Sequence, residues 1–157
     1  MTKKLIINDI EYPVYADLDD AKEYNNAIVG STWREKDEET QAKLLVMATR
    51  KIDMYSYAGK KVEEEQPLKF PRIMRNGKKS DDDLIKTLCC MVATYFNDNG
   101  TSDNAISDVL NSVGKYQIGD LHVEFKDNAT LDLSGLDDYI EKMLGDWLLN
   151  QGMEIWL

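Results

Sequence analysis

The sequence predicts a mainly α fold: a four-helix-type bundle with a small β-hairpin and short terminal strands. Three observations predict it. Apolar residues recur at helical spacing in four separate stretches. Asp17, Ser80 and Ser134 each stand where a helix must start, with an acid close behind. Strand-like alternation is confined to short runs. At 157 residues the chain fits one domain, 1–157. It divides into N-terminal strands (1–16), a helical bundle with a hairpin at 113–126 (17–149), and a C-terminal strand (153–157).

The elements follow in order. "KLIINDIEYPVY" reads as two short strands around the turn pair Asn8-Asp9. Asp17-Leu18-Asp19-Asp20 is a relative of the capping box, and Ala21, Tyr24, Ala27 and Ile28 form the stripe of the helix it opens. Gly30 suits the C′ position. Trp33 anchors the junction to a long amphipathic helix with Ala42, Leu45, Ala48, Ile52 and Tyr55 inward, which Gly59 closes. Asp37, Glu38 and Glu39 complement the dipole of that helix. Ser80 to Asp83 opens a third helix with Leu84, Ile85, Leu88, Cys89, Val92, Ala93, Tyr95 and Phe96 inward, broad enough to be the central one. Asn97 to Gly100 ends it, and 102–111 adds a short helix. "VGKYQIGDLHVEF" reads as a hairpin turning at Gly119-Asp120. A last helix, from Ser134 through Leu149, places Leu136, Ile140, Leu144 and Trp147 on one face, and Gly152 stops it.

Between the second and third helices lies Gln66-Pro67-Leu68-Lys69-Phe70-Pro71-Arg72, which uses two of the three prolines. Proline fixes φ and pushes the preceding residue toward extended geometry, so this is a strap with Leu68 and Phe70 facing the same way. The strap is expected to cover an apolar bundle end, leaving Arg72 beyond it to meet an acidic neighbour.

Composition narrows the function. The net charge of −10 argues against a general grip on nucleic acid, which works through Lys and Arg on phosphate. Local basic patches remain at Lys60-Lys61 and at Arg72, Arg75, Lys78 and Lys79, where solvated loop charge is the simpler reading. No apolar run approaches the roughly 18 residues of a membrane span. Cys89 and Cys90 are adjacent, as two reduced thiols of a cytosolic protein would be. One histidine, His122, has no nucleophile context, and no zinc, calcium-loop or phosphate-loop spacing occurs. The runs Glu63–Glu65 and Asp81–Asp83 read as capping and solvation. No catalytic residue, metal site or cofactor is expected, and the chain reads as no enzyme.

The order of segments resembles a family. "YADLDDAKEYNNAIVGSTW", then "TQAKLLVMATRKIDMYSYAGKKVEEEQPLKFPR", then "YQIGDLHVEF" and "IEKMLGDWL", are similar to the tailed-phage head–tail connector (adaptor, head completion) proteins. The strap, at its distance from Ala48-Thr49-x-x-Ile52-Asp53, is the most specific part. A proline is missing before the third helix, and Asp146 replaces one in the last. The resemblance implies a virion structural protein of the phage neck, assembled from host cytoplasm. It implies about twelve copies in a ring under the portal protein, bound also to the next neck or tail-terminator protein. Packaged double-stranded DNA would pass through without specific binding, repelled by the acid excess. Arg72, Arg75 and the terminal Met153-Glu154-Ile155-Trp156-Leu157 would form the portal or subunit interface. That segment either pairs within its own subunit or adds a strand to a partner. Some members carry a second label, DnaT-like single-stranded-DNA-binding protein, which is the alternative function. A single-strand binder needs a basic groove with stacking aromatics.

Overall fold

The first elements of the chain are β-strands that pack on a helix. The computed structural model describes residues 3–99 and 134–149. Strands β1 (Lys3–Ile7) and β2 (Ile10–Val14) pair antiparallel, Leu5 opposite Tyr12 and Ile7 opposite Ile10. Asn8 and Asp9 turn between them at φ 52° and 67°, the left-handed pair that a two-residue hairpin demands and that Asn and Asp tolerate best. Leu5, Ile7 and Val14 are buried, so the hairpin contributes to the core.

Helix α1 (Leu18–Asn26) opens on a reciprocal capping box: Asp17 accepts from the Asp20 N–H, and Asp20 accepts from the Asp17 N–H. It ends before Gly30, which serves a turn at φ 77° instead. Trp33 is 1% exposed at the start of a short 3₁₀ turn, Trp33–Glu35. Helix α2 (Glu38–Ile52) is capped by Asp37, which accepts from the Thr40 N–H at 2.8 Å. It stops at Asp53, short of Tyr55 and well before Gly59. The Asp53 side chain is recruited elsewhere, as shown below.

Helix α3 (Asp82–Asn99) is the central element, packed against α1, α2 and α4 (Ser134–Leu144). Its inward row, Ile85, Leu88, Cys89, Val92, Ala93 and Phe96, is buried as the spacing predicts. Each fully buried Leu, Ile or Phe contributes about 1.5–3 kcal/mol. A polar tie fixes α1 on α3: Asn25 Nδ2 donates to Thr94 Oγ1 at 3.1 Å, and Ser31 Oγ donates to Asn25 Oδ1 at 2.9 Å.

Helix α4 ends at Leu144 rather than Leu149, and Gly145–Trp147 form a 3₁₀ turn. The backbone there finds better partners outside a helix. Ala58 N–H donates to Trp147 O at 2.7 Å and Leu149 N–H to Ser56 O at 3.1 Å. The second two-stranded sheet joins β3 (Lys60–Lys61) to β4 (Arg72–Ile73).

These observations correct the four-helix-type bundle. Among the described residues the fold is a small mixed α/β protein, with four α-helices and two two-stranded sheets. The reason is that chain expected as bundle connection pairs with itself: strands and bridges organise residues 57–79 and 148. The short helix at 102–111, the hairpin at 113–126 and the strand at 153–157 lie outside the described residues, as does His122.

Candidate functional site

The strap is built into the interior. Leu68 is 7% exposed and Phe70 2%. The Phe70 ring meets Tyr57 at 4.6 Å, Trp147 at 6.2 Å and Tyr15 at 6.3 Å, all edge-on, the geometry aromatic quadrupoles favour. Gln66 is buried and braces the bend, donating to the Leu68 and Pro71 carbonyls at 2.9 Å each and accepting from Glu63 N–H. Asp53 pins the strap to the end of α2. One carboxylate oxygen accepts from the Lys69 N–H at 3.1 Å and the other from the Tyr15 hydroxyl. The Tyr15 oxygen in turn accepts from the Phe70 N–H at 3.0 Å. Burial pushes the Asp53 carboxyl above the usual carboxylate range, against the pull of the Tyr15 and Lys69 hydrogen bonds.

Beyond the strap the backbone forms a ribbon. Lys60 lies opposite Ile73 and Lys61 opposite Arg72. On the other side of β4, Ile73 bridges Lys79, Met74 N–H donates to Lys78 O at 2.9 Å, and Ser80 N–H to Arg72 O at 3.0 Å. Gly77, at φ 91°, closes the tight return between these runs. Gly59 sits where the strands approach most closely, since a Cβ there would stand 2.5 Å from the Ile73 carbonyl oxygen.

This ribbon gathers what the sequence presented as two separate patches. Lys60, Lys61, Arg72, Arg75, Lys78 and Lys79 are six of the nineteen basic residues, and Gly59–Val62 and Arg72–Lys79 contain no acid. Arg72 turns inward, 9% exposed. Its guanidinium donates to the carbonyls of Ala58 (2.9 Å), Gly59 (2.8 Å), Lys69 (3.1 Å) and Tyr57 (3.3 Å). It is the staple that holds the ribbon to the body. Lys60, Arg75, Lys78 and Lys79 are exposed and Lys61 is half-buried. Lys61 Nζ donates to Gln66 O at 3.2 Å. Lys78 reaches Asp146 at 3.3 Å and lies over the Trp147 ring at 5.7 Å. Glu63, Glu64 and Glu65 occupy the adjoining turn, exposed.

A groove between α1 and α3 has the opposite character. Its volume of about 410 Å³ is bordered by Asp20, Glu23 and Asp83, with Lys86 opposing them. Its carboxylates disfavour an anion. Among the described residues no three His, Cys, Asp or Glu side chains gather where a metal ion could be held. No described helix is long and apolar enough to cross a membrane. Of the residues expected at an interface, Arg72 and Arg75 share the ribbon, one inside and one outside, while Met153–Leu157 lie outside the described residues.

Residues 5–156 match the family described as "Putative DnaT-like ssDNA binding protein". The chain belongs to this family. No curated protein and no solved structure matches it. Membership of the DnaT-like family overturns the head–tail connector assignment. The portal partner, the ring of copies, the next neck or tail-terminator protein and the duplex passing unbound rested on that resemblance and fall with it. The physical reason lies in the motif that carried it. Thr49 accepts from the Tyr15 N–H, Asp53 and Tyr15 pin the strap, and Ala48 and Ile52 are fully buried. The spacing from Ala48-Thr49 to the strap therefore specifies how this DnaT-like chain packs, which says nothing about what it assembles with.

Sequence reading missed Asp53 and Tyr15 as the strap's anchors, because the pairing spans 38 residues. It also missed Lys51, whose ammonium is buried on α2 and bonds Asp137 at 2.9 Å. A lysine at that helical position carries no sign of its burial.

Proposed function

We propose that this chain binds single-stranded DNA and that the ribbon around β3 and β4 is its phosphate-contacting surface. The observation that carries the reading is the grouping of six cations with no acid on one ordered ribbon, in a chain of net charge −10. Family membership supports the choice of ligand. A cationic strip set in an acidic protein favours phosphate there over the acidic surface around it. Each neutralised phosphate of a single strand releases condensed counterion and contributes about 0.7 to the log–log salt slope. The four exposed cations, with half-buried Lys61 as a fifth, therefore give a slope of about −3 to −4. The surface works by binding, with no reaction to perform.

The test is fluorescence anisotropy of a labelled oligo-dT titrated with the protein across a range of salt. Reversal of Lys60 and Lys79 to Glu, both exposed, should weaken binding at low salt and flatten the slope by about 1–2. Absence of oligo-dT binding at about 50 mM salt would overturn the reading, as would unchanged affinity in the reversed variant.

A further inference from the structure

A second surface completes what the ribbon lacks, an aromatic face. Between the β1–β2 hairpin and α2 an open groove of about 250 Å³ is lined by Ile7, Ile10, Tyr12, Lys43, Met47 and Arg50. That is several times the roughly 30 Å³ of a water molecule. Ile10 at its edge is 55% exposed, and Ile6 on the hairpin 67%. The Arg50 guanidinium stands over the Tyr12 ring, 5.9 Å from its centroid. Lys43 and Arg50 are seven residues apart on α2, so both rise on the same side of the groove.

The charges around the groove sort unequally. Lys43 is paired with Glu39 at 3.3 Å and Lys4 with Glu11 at 3.5 Å, all four exposed. Asp9 is exposed at the hairpin tip. Arg50 has no carboxylate partner among the described residues, and its guanidinium lies over the aromatic ring. An apolar floor, an aromatic wall and a cation without an acid suit a ligand with a flat apolar face and an attached anion. A nucleotide of an unpaired strand has both: its base can stack on Tyr12 and Arg50 while its phosphate meets Arg50 and Lys43.

We infer that the hairpin–α2 groove is a base-stacking site for single-stranded DNA, with Tyr12 and Arg50 as the stacking pair. This rests on the DNA-binding reading above and adds where the bases go. A second copy of the chain is the competing occupant, since exposed isoleucines also suit a protein surface.

The experiment compares binding of oligo-dT with that of an abasic deoxyribose-phosphate strand of equal length, over the same range of salt. The wild type should prefer the strand with bases by roughly 5- to 150-fold, the value of one stacked base. Tyr12→Ala should remove most of that preference while leaving the salt slope in place, and Tyr12→Phe should keep it. Arg50→Met changes an exposed side chain and tests the same pair without touching the hairpin. If both strands bind the wild type equally, or if Tyr12→Ala and Arg50→Met retain the preference, the groove is not a stacking site and the ribbon reading stands alone. If oligomeric state changes in these variants and the base preference does not, the groove belongs to a second copy. If the wild type binds neither strand, the DNA-binding reading and this inference fail together.

Discussion

Arg72→Met isolates the staple that holds the ribbon. Methionine keeps most of the stem and removes the guanidinium, so four backbone carbonyls lose a donor. The Ala58 and Tyr57 bonds are buried, whereas those of Lys69 and Gly59 are partly open to water and can be rehydrated. An orphaned buried carbonyl costs about 1–3 kcal/mol, so two cost roughly 2–6 kcal/mol. Against this stands the desolvation of the guanidinium itself. Burial is the first cause lowering its pKa, and the Asp53 carboxylate pulls the other way. The variant relieves that penalty, leaving a net loss of about 2–4 kcal/mol. Urea unfolding followed by far-ultraviolet circular dichroism measures it, with an unchanged m value as the check on two-state behaviour. Trypsin should also cleave the variant faster after Lys60, Lys61, Lys78 and Lys79. A loss under about 1 kcal/mol would show that the four carbonyls do not depend on Arg72 and that the ribbon is held by its strand pairing alone.

Other expectations follow from the same packing. Phe70→Ala should cost about 3–5 kcal/mol in urea unfolding, since the ring is 2% exposed among Tyr15, Tyr57 and Trp147. Asp137→Ala should destabilise more than Lys51→Met. The first removes the carboxylate 2.9 Å from a buried ammonium, at about 3 kcal/mol, whereas the second leaves a carboxylate 39% exposed that still accepts from the Tyr55 hydroxyl. Equal losses in unfolding experiments would contradict that asymmetry. Cys89 and Cys90 should not react with Ellman's reagent at about pH 8 in the native state but both should react in urea. Burial pushes Cys89 up to about 12 from an ordinary 9.0, and pushes Cys90 up in the same direction. A raised native pKa contributes stability that is intact below 9.0 and lost as pH climbs through about 12, so thiol reactivity should rise over that window. Rapid native reaction at pH 8 would mean that the α3 core opens.

Local chemistry was legible in the sequence wherever one stretch carries its own signal. The Asn8-Asp9 turn and the Asp17 capping box form from contacts within a few residues, and the spacing along α3 states its inward row; Asp37, read as a first-turn acid, proves to be the cap itself. The apolar face of the strap was legible too, because two prolines and alternating Leu68 and Phe70 state it locally. What lay hidden depends on distant pairing. Lys60-Lys61 and Arg72–Lys79 become one basic surface only when β3 meets β4, and a composition-wide charge of −10 obscures that local reversal. The same pairing turned an expected bundle connection into sheet, and the hydrogen bonds of Ser56 and Ala58 with Leu149 and Trp147 replace the helical continuation of α4. Tyr12 and Arg50 stand 38 positions apart, and only hairpin packing on α2 brings cation over ring. The spacing of Lys43 and Arg50 along one helix face was the one local sign of that groove.

The central claim, a phosphate-binding ribbon on an acidic chain, is tested most directly by the salt dependence of oligo-dT binding in the wild type and in the Lys60→Glu, Lys79→Glu double variant. A log–log slope of about −3 to −4 that flattens by about 1–2 in the variant is the predicted result. A wild type that fails to bind at about 50 mM salt, or a slope that both proteins share, would contradict it.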